Sequence, residues 1–335
     1  SKYTNYSVAN TPWKDGKGDV VREYVDACRK YGIKVGLYYS PAQWGGEISF
    51  ENEKEYDDYF INQIGELLTN YGKIDYLWFD GCGSEKHKYD KDRIIAAIRG
   101  MQPDILIFSM WDPNTRWVGN EDGYADMPNL NTVTNIDFSM LADEKEKLKH
   151  AKFLPSECDF KMRSTWFYDE GNEDTIKTLD ELIGIYEMSV GRGANFLINI
   201  GPDKRGLLPE LDVERLLEFG AELKRRYGTP IESFSDIKAD EGKNDSFSIE
   251  SPVGQLVNRV ILKENLTEGE SITAFRIYAH LPHYKSKRVC VYIGCTVGHK
   301  AICTFPTIRT GKITVEVISH NGDYEITDMK AYYVK

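Results

Sequence analysis

Two hydrophobic periods alternate through the first two thirds of this chain and then stop. Residues 17–31 carry Val20, Tyr24, Ala27 and Tyr31 at helical spacing, with Gly32 as the stop. The run Ile33 to Pro41 follows, short, apolar and bounded by Gly and Pro, which is the pattern of a buried strand. A second stripe over 53–71 (Tyr56, Phe60, Ile64, Leu67, Tyr71) ends at Gly72 and leads into I-D-Y-L-W-F-D-G from Ile74. A helix over Lys91 to Gly100 precedes D-I-L-I-F-S-M. Further on, a Glu- and Lys-rich helix from Asp143 to Ala151 precedes F-L-P-S-E-C-D, and a helix from about Thr175 to Val190 precedes N-F-L-I-N-I-G-P. The helix from Pro209 to Tyr227 closes the series. Repeated helix–strand alternation of this kind predicts parallel β/α architecture.

Near Thr229-Pro230 the texture changes. S-F-S-I-E-S, N-R-V-I-L-K, R-V-C-V-Y-I and K-I-T-V-E-V alternate apolar and polar residues, with turns such as Asn321-Gly322 between such runs. That period predicts an antiparallel β-sandwich over 230–335, behind a β/α domain over 1–229. For the first domain a doubly wound open sheet is the rival of a (β/α)8 TIM barrel. An open sheet of that type would carry a Gly-rich phosphate loop after its first strand. No G-x-G-x-x-G follows a strand, G-x-x-x-x-G-K-[ST] is absent, and D-G-K-G-D (Asp15 to Asp19) precedes a helix without following a strand. The barrel is therefore the expectation, and a nucleotide enzyme has little support.

Charge and cysteine usage narrow the function classes. Asp plus Glu number 53 against 42 Lys plus Arg, a net charge of -11, which disfavours a nucleic-acid backbone as partner. No run of about 18 apolar residues is present, so no membrane-spanning helix is expected, and Ser1 opens on no signal-peptide pattern. None of the six cysteines forms a C-x-x-C pair and no His lies near the first three, so no zinc site is expected. Cys290, Cys295 and Cys303 fall on predicted strands and could support one disulfide, although buried free thiols are the commoner state.

In a β/α barrel the chemistry sits at the C-terminal ends of the strands. Ile33 to Tyr39 ends in Ser40-Pro41 with Trp44 beyond it, and Ile74 to Phe79 ends in Asp80-Gly81. Ile105 to Met110 leads to Trp111, Trp117 and the loop G-N-E-D-G, in which Gly119 and Gly123 flank Glu121 and would let it move. The strand at Phe153 ends in Glu157 and Asp159, then Arg163, Trp166 and Tyr168. Two carboxylates among aromatic platforms suit glycoside hydrolysis, one attacking or stabilising the anomeric carbon and the other moving the proton. Bland alternatives stand beside this. Asp80 could cap its loop, Glu121 could be an exposed loop acid, Glu157 could pair with Arg163, and the tryptophans could all be core. No nucleophile elbow supports a Ser-His-Asp triad.

Several long segments, in order, carry a resemblance. The stretch from S-K-Y-T-N-Y-S-V to V-G-L-Y-Y-S-P, the strand I-D-Y-L-W-F-D-G, the loop R-W-V-G-N-E-D-G, E-C-D-F-K-M-R-S-T-W-F-Y and G-A-N-F-L-I-N-I-G-P-D-K-R-G-L-L-P-E resemble the α-L-fucosidases of glycoside hydrolase family 29. N-R-V-I-L-K-E-N-L-T-E-G is similar to the start of that family's C-terminal sandwich. The resemblance implies a retaining exo-α-L-fucosidase acting on fucosylated oligosaccharides, with Asp80 as nucleophile. It implies Glu121 as acid/base in the branch acting on α-1,3/1,4-linked fucose, with Glu157 as the alternative proton donor or a sugar ligand. Trp44, Trp111, Trp117, Asp159, Arg163, Trp166 and Tyr168 are the expected substrate contacts, and no metal or cofactor is implied. The family's barrel begins upstream of S-K-Y, with strands that include a histidine-bearing sugar site, so the barrel is expected to be N-terminally incomplete in this sequence. Bacterial members are commonly exported, so a periplasmic or extracellular location is expected from the resemblance. A fucose-binding protein without catalysis, or a barrel glycosidase for another sugar, are the competing readings.

Overall fold

A computed structural model describes residues 1–45, 48–84, 86–136 and 146–335. In chain order its helices are α1 (Val20–Lys30), α2 (Glu53–Asn70), α3 (Lys91–Met101), α4 (Leu179–Ser189) and α5 (Glu210–Tyr227). Its strands are β1 (Gly36–Tyr39), β2 (Tyr76–Phe79), β3 (Leu106–Phe108), β4 (Arg116–Trp117), β5 (Thr132–Ile136), β6 (Glu146–Phe153), β7 (Ser156–Lys161) and β8 (Asn195–Asn199). Beyond α5 come β9 (Lys238–Ala239), β10 (Ser246–Glu264), β11 (Ile272–Leu281), β12 (Tyr284–Gly294), β13 (Ala301–His320) and β14 (Ile326–Tyr332). The chain divides into two compact units: Ser1–Trp117 with Asn135–Leu148, and Val118–Thr134 with Lys149–Lys335.

The first unit holds parallel strands in the order β1-β2-β3. Gly36 to Tyr39 lie beside Tyr76 to Phe79, and Tyr76 to Trp78 lie beside Leu106 to Phe108. Parallel strands need a crossover, and α2 and α3 supply it. Each helix starts at a side-chain cap: Asp19 accepts from the Arg22 N–H, Asn52 from Glu55 and Asp90 from Arg93. The α2 stripe buries Tyr56, Phe60 and Ile64 as its spacing predicts, and Leu67 and Tyr71 pack partly buried against the same core. On α1 the period is right and the face is not. Val21, Val25 and Cys28 face the core, whereas Val20, Tyr24 and Tyr31 of the expected stripe are exposed. Two apolar stripes run side by side on this helix, and spacing alone does not choose between them.

In the second unit β7 and β8 are again parallel, Glu157 beside Asn195 through Lys161 beside Asn199. A capping box on α4, Thr178 with Glu181, sets the start of that helix. Phe160, Met162, Leu182, Ile183, Ile185 and Phe219 form the core between these strands and α4 and α5. The helix expected from Asp143 to Ala151 is not present where the structure describes it, because Glu146–Phe153 is the strand β6. Asp143, Glu144 and Lys145 lie outside the described residues.

The antiparallel region forms one hydrogen-bonded sheet, β12-β11-β13-β10-β14, with β9 on β10, where a sandwich of two sheets was expected. Its two longest strands are β10 and β13. The register between β10 and β13 slips between Glu250 and Gln255, opposite Gly311, where a Cβ would sit 3.2 Å from the Ser251 carbonyl oxygen. Ile249, Val257 and Leu262 of β10 and Cys303, Ile313 and Val315 of β13 fill a single core. All six cysteines are free thiols, with Cys28, Cys158 and Cys303 buried, so the strand cysteines form no disulfide.

Candidate active site

Asp80 stands at the C-terminal end of β2, where its backbone N–H donates to the Tyr39 carbonyl of β1. One carboxylate oxygen accepts from the Cys82 N–H at 2.8 Å, an Asx turn that fixes the rotamer, and the other accepts from the Tyr38 hydroxyl. Both the capping and the functional readings of this residue are therefore visible in one side chain: it organises its own loop and presents a carboxylate with a second donor attached. Desolvation, and after it the Asp80 carboxylate, push the Tyr38 phenol well above its ordinary range, so the hydroxyl keeps its proton and donates. Tyr38 stacks on Trp78 with ring centres 5.6 Å apart, and Trp78 stacks on Phe108 at 4.2 Å. The sequence reading passed over Tyr38 and Trp78, although their odd–even position on β1 and β2 opposite buried Leu37, Leu77 and Phe79 was a usable signal.

The loop beyond Asp80 is pinned from beneath. His87 Nε2 lies 2.9 Å from the Asp57 carboxylate of α2, and both are buried. Tyr56 and Tyr89 both donate to the Pro41 carbonyl at 2.9 Å. Together these contacts fix the segments after β1 and β2 to one aromatic cluster. Trp44 stands 65 % exposed, its indole N–H donating to the Ser40 hydroxyl at 2.6 Å, as a platform open to a ligand. Trp111 does not match the expectation of a cleft wall. It is buried among Phe60, Phe79 and Tyr89, with φ of +49°. Trp117 on β4 is half-buried.

The second unit carries both candidate proton donors, in opposite environments. Glu121 is exposed; its carboxylate accepts from the Trp166 indole at 3.3 Å and lies 3.7 Å from the Lys161 ammonium. Gly123 is not there to let the loop move. Its φ is +83°, and a Cβ would sit 2.7 Å from Ile185 and 2.8 Å from Phe160, so glycine is what lets this loop seat on the core. Glu157, at the start of β7, is fully buried and accepts from the Asn195 amide at 2.6 Å. Asp159, two residues along the same face, is also buried.

Arg163 departs from its expected roles. It does not pair with Glu157, and its donors turn inward. Its Nε and Nη2 bind the buried carboxylate of Asp212 in the first turn of α5, at 3.1 and 2.5 Å, and Nη1 donates to Asn172 at 3.0 Å. Those bonds raise the guanidinium above its usual value, and its donors are committed inside the protein. Tyr168 packs its ring beside this guanidinium, 5.7 Å away. Trp166 is half-buried beneath the Lys161 ammonium, 5.2 Å from its ring centre.

The first unit thus presents a strand-end carboxylate held by two donors beside an open aromatic platform, and the second unit, taken by itself, an exposed loop carboxylate; these are the group types that nucleophilic and acid–base chemistry use. A sequence profile described as alpha-L-fucosidase matches residues 1–228. The chain is 35 % identical over 228 residues to alpha-L-fucosidase 1 of Arabidopsis thaliana, covering 65 % of this chain and 44 % of that protein. It thus spans under half the length of that relative. A crystal structure of a glycoside hydrolase 29 family member from an unknown rumen bacterium superposes with a TM-score of 0.85 at 29 % identity, over 99 % of this chain and 63 % of the other. The Ruminococcus gnavus GH29 fucosidase in complex with fucose shares the fold, with a TM-score of 0.83 at 21 % identity, over 100 % of this chain and 79 % of that one. With the profile running through every strand and helix up to the end of α5, the chain belongs to the α-L-fucosidase family, glycoside hydrolase family 29.

Proposed function

We propose that the protein hydrolyses terminal α-L-fucose from oligosaccharides or glycoconjugates by double displacement, on the α-1,3/1,4-linked branch of the family's substrates. Asp80 attacks the anomeric carbon, expels the aglycone oxygen and forms a glycosyl-enzyme. Glu121 gives that oxygen its proton and then takes one from the water that releases fucose. The observation that carries this reading is the Asp80 carboxylate at the end of β2, ionisable and held by Tyr38 and Cys82 in one rotamer. The contrast between the two glutamates supports Glu121 as the donor. An exposed loop carboxylate can reach a leaving group, whereas Glu157 is closed off by burial and by Asn195. We also read the parallel strands as staves of a (β/α)8 barrel over 1–229, followed by the β-domain over 230–335, and a periplasmic or extracellular home belongs to the same proposal. Fucosylated glycans are the substrate class, with Trp44 and Trp117 as aromatic contacts.

The test is turnover of an aryl α-L-fucoside and of a branched Lewis-type oligosaccharide by the intact gene product, beside Asp80→Asn. An amide cannot supply the anionic nucleophile, so the variant should lose turnover and keep its fold. Normal turnover in Asp80→Asn would remove the nucleophile assignment. Binding of fucose without any turnover by the unaltered protein would replace the enzyme by a sugar-binding protein.

A further inference from the structure

The turn that presents Asp80 is a chain of hydrogen bonds, and the far end of that chain is anchored on α2. The Cys82 N–H donates to the Asp80 carboxylate at 2.8 Å. Ser84 returns both its N–H and its hydroxyl to the Gly81 carbonyl, at 3.1 and 2.5 Å. The His87 N–H donates to the Ser84 carbonyl at 3.2 Å. There the link leaves the loop. His87 Nε2 lies 2.9 Å from Asp57 Oδ1, and because a carboxylate only accepts, the imidazole is the donor. The other oxygen, Oδ2, accepts from the backbone N–H of Asp90, the cap of α3, at 2.8 Å. One carboxylate therefore fixes two points, His87 and Asp90, on the return limb of the loop that begins at Asp80.

Packing alone does not ask for these groups. The His87 and Asp57 side chains are 0 % and 3 % exposed. Phe50 stacks on the imidazole at 4.9 Å, and Tyr56 and Tyr89 flank it at 5.0 and 4.3 Å, a setting that a phenyl ring would suit. The imidazole instead leaves Nδ1 buried without a hydrogen-bond partner among the described residues. A buried polar pair is also a weak source of stability beside apolar side chains of similar volume. What His87 supplies and a phenyl ring lacks is direction, a bond that fixes where the loop returns to α2. The loop has little slack between that bond and Asp80. Ser84 is fully buried, and at Gly83, with φ of +81°, a Cβ would sit 3.2 Å from Ala42.

We propose that Asp57 and His87 are positioning residues for the nucleophile: their bond fixes the turn from Gly81 to Ser84, and through the Cys82 N–H the direction of the Asp80 carboxylate. The inference rests on Asp80 being the nucleophile.

The test isolates the first chemical step with 2-deoxy-2-fluoro-α-L-fucosyl fluoride as the probe. An Asp80 oxygen forms the bond to the anomeric carbon as the C–F bond breaks, and fluoride leaves with the electron pair. No proton donor takes part, so the identity of the acid/base does not enter. The fluorine at C2 slows release, and the adduct accumulates on the labelled peptide, where mass spectrometry counts it. The intact gene product is compared with His87→Phe, His87→Gln and Asp57→Asn, well below the melting temperature of each. The saturating rate constant and the half-saturating concentration are read separately. A partly unfolded sample lowers the amount of label and leaves its rate constant alone, whereas a misdirected nucleophile lowers the rate constant. His87→Phe should label about 10- to 100-fold more slowly at saturation, the cost of a misplaced attacking group, with an unchanged half-saturating concentration. Glutamine keeps an N–H donor, so His87→Gln should recover most of that loss. Asp57→Asn, with one carbonyl oxygen for two donors, should fall between His87→Phe and the parent. Labelling of His87→Phe at the parental rate would overturn the proposal, as would a His87→Gln no faster than His87→Phe. If His87→Phe does not fold, Asp57→Asn decides, and the parental rate there overturns the proposal. If the unaltered protein is labelled at a residue other than Asp80, or not at all, the nucleophile assignment itself fails and the positioning role falls with it.

Discussion

Replacing Arg163 by methionine separates a structural arginine from a sugar ligand. The guanidinium and its partner are almost entirely enclosed, with side-chain exposures of 6 % for Arg163 and 1 % for Asp212. Nε and Nη2 both reach the carboxylate, and Nη1 reaches Asn172 and the Asp169 carbonyl. Methionine fills much of the volume and leaves a buried carboxylate without its cation. Breaking a buried pair from one side costs about 3–5 kcal/mol, most of it the uncompensated charge. At roughly 2–4 °C per kcal/mol the melting temperature should fall by about 6–20 °C. Thermal unfolding followed by near-ultraviolet circular dichroism measures this, together with KM on an aryl α-L-fucoside well below the transition. Arg163→Met with Asp212→Leu should recover a large part of the loss, because an apolar pair of similar volume carries no stranded charge. A variant that melts like the parent but shows a raised KM would refute the reasoning and return Arg163 to the sugar.

Two further outcomes follow from the geometry. Tyr38→Phe keeps the stack on Trp78 and removes the hydroxyl donor from Asp80, so kcat/KM should fall by about 10- to 150-fold, the equivalent of one hydrogen bond to a charged group, with an unchanged melting temperature. On α1, Val25→Ala should lower stability by about 1–2 kcal/mol, while Val20→Ala, on the exposed stripe, should stay within about 0.5 kcal/mol in urea unfolding; equal losses would contradict the face assigned here.

What the sequence disclosed, and what it hid, divides along physical lines. Local periodicity is written within about one turn of chain, so α2, α3 and α5 and the strands between them were legible from Phe60, Ile64, Leu77 and Ile107. β6 was not. E-K-L-K-H-A-K-F is built of good helix formers, and helix propensity is a weak prior that tertiary context overrides. The long antiparallel strands were legible as alternation, yet two separate sheets and one continuously hydrogen-bonded sheet share that alternation. Among the candidate residues, Asp80 and Glu121 stood out because both close recognisable strand or loop patterns. The true partner of Arg163 lies 49 residues downstream in a helix, and no local pattern announces it. Trp111 has the composition of a sugar platform and the surroundings of a core residue; only burial distinguishes the two.

β13 is hydrogen-bonded to β10 on one side and to β11 on the other, and it runs unbroken past the register slip at Gly311. A conventional two-layer domain can open at the seam between its layers, because no backbone hydrogen bond crosses it. Here the same twenty-residue strand supplies ladder bonds before and after the slip, so neither half can separate without breaking its own spine. Amide hydrogen exchange across Ile302, Cys303, Ile313 and Val315 should then report one shared opening free energy in place of two, making the region a single foldon. A chain break or an insertion at Gly311 would uncouple that strand into two, and with it the protection of both halves at once.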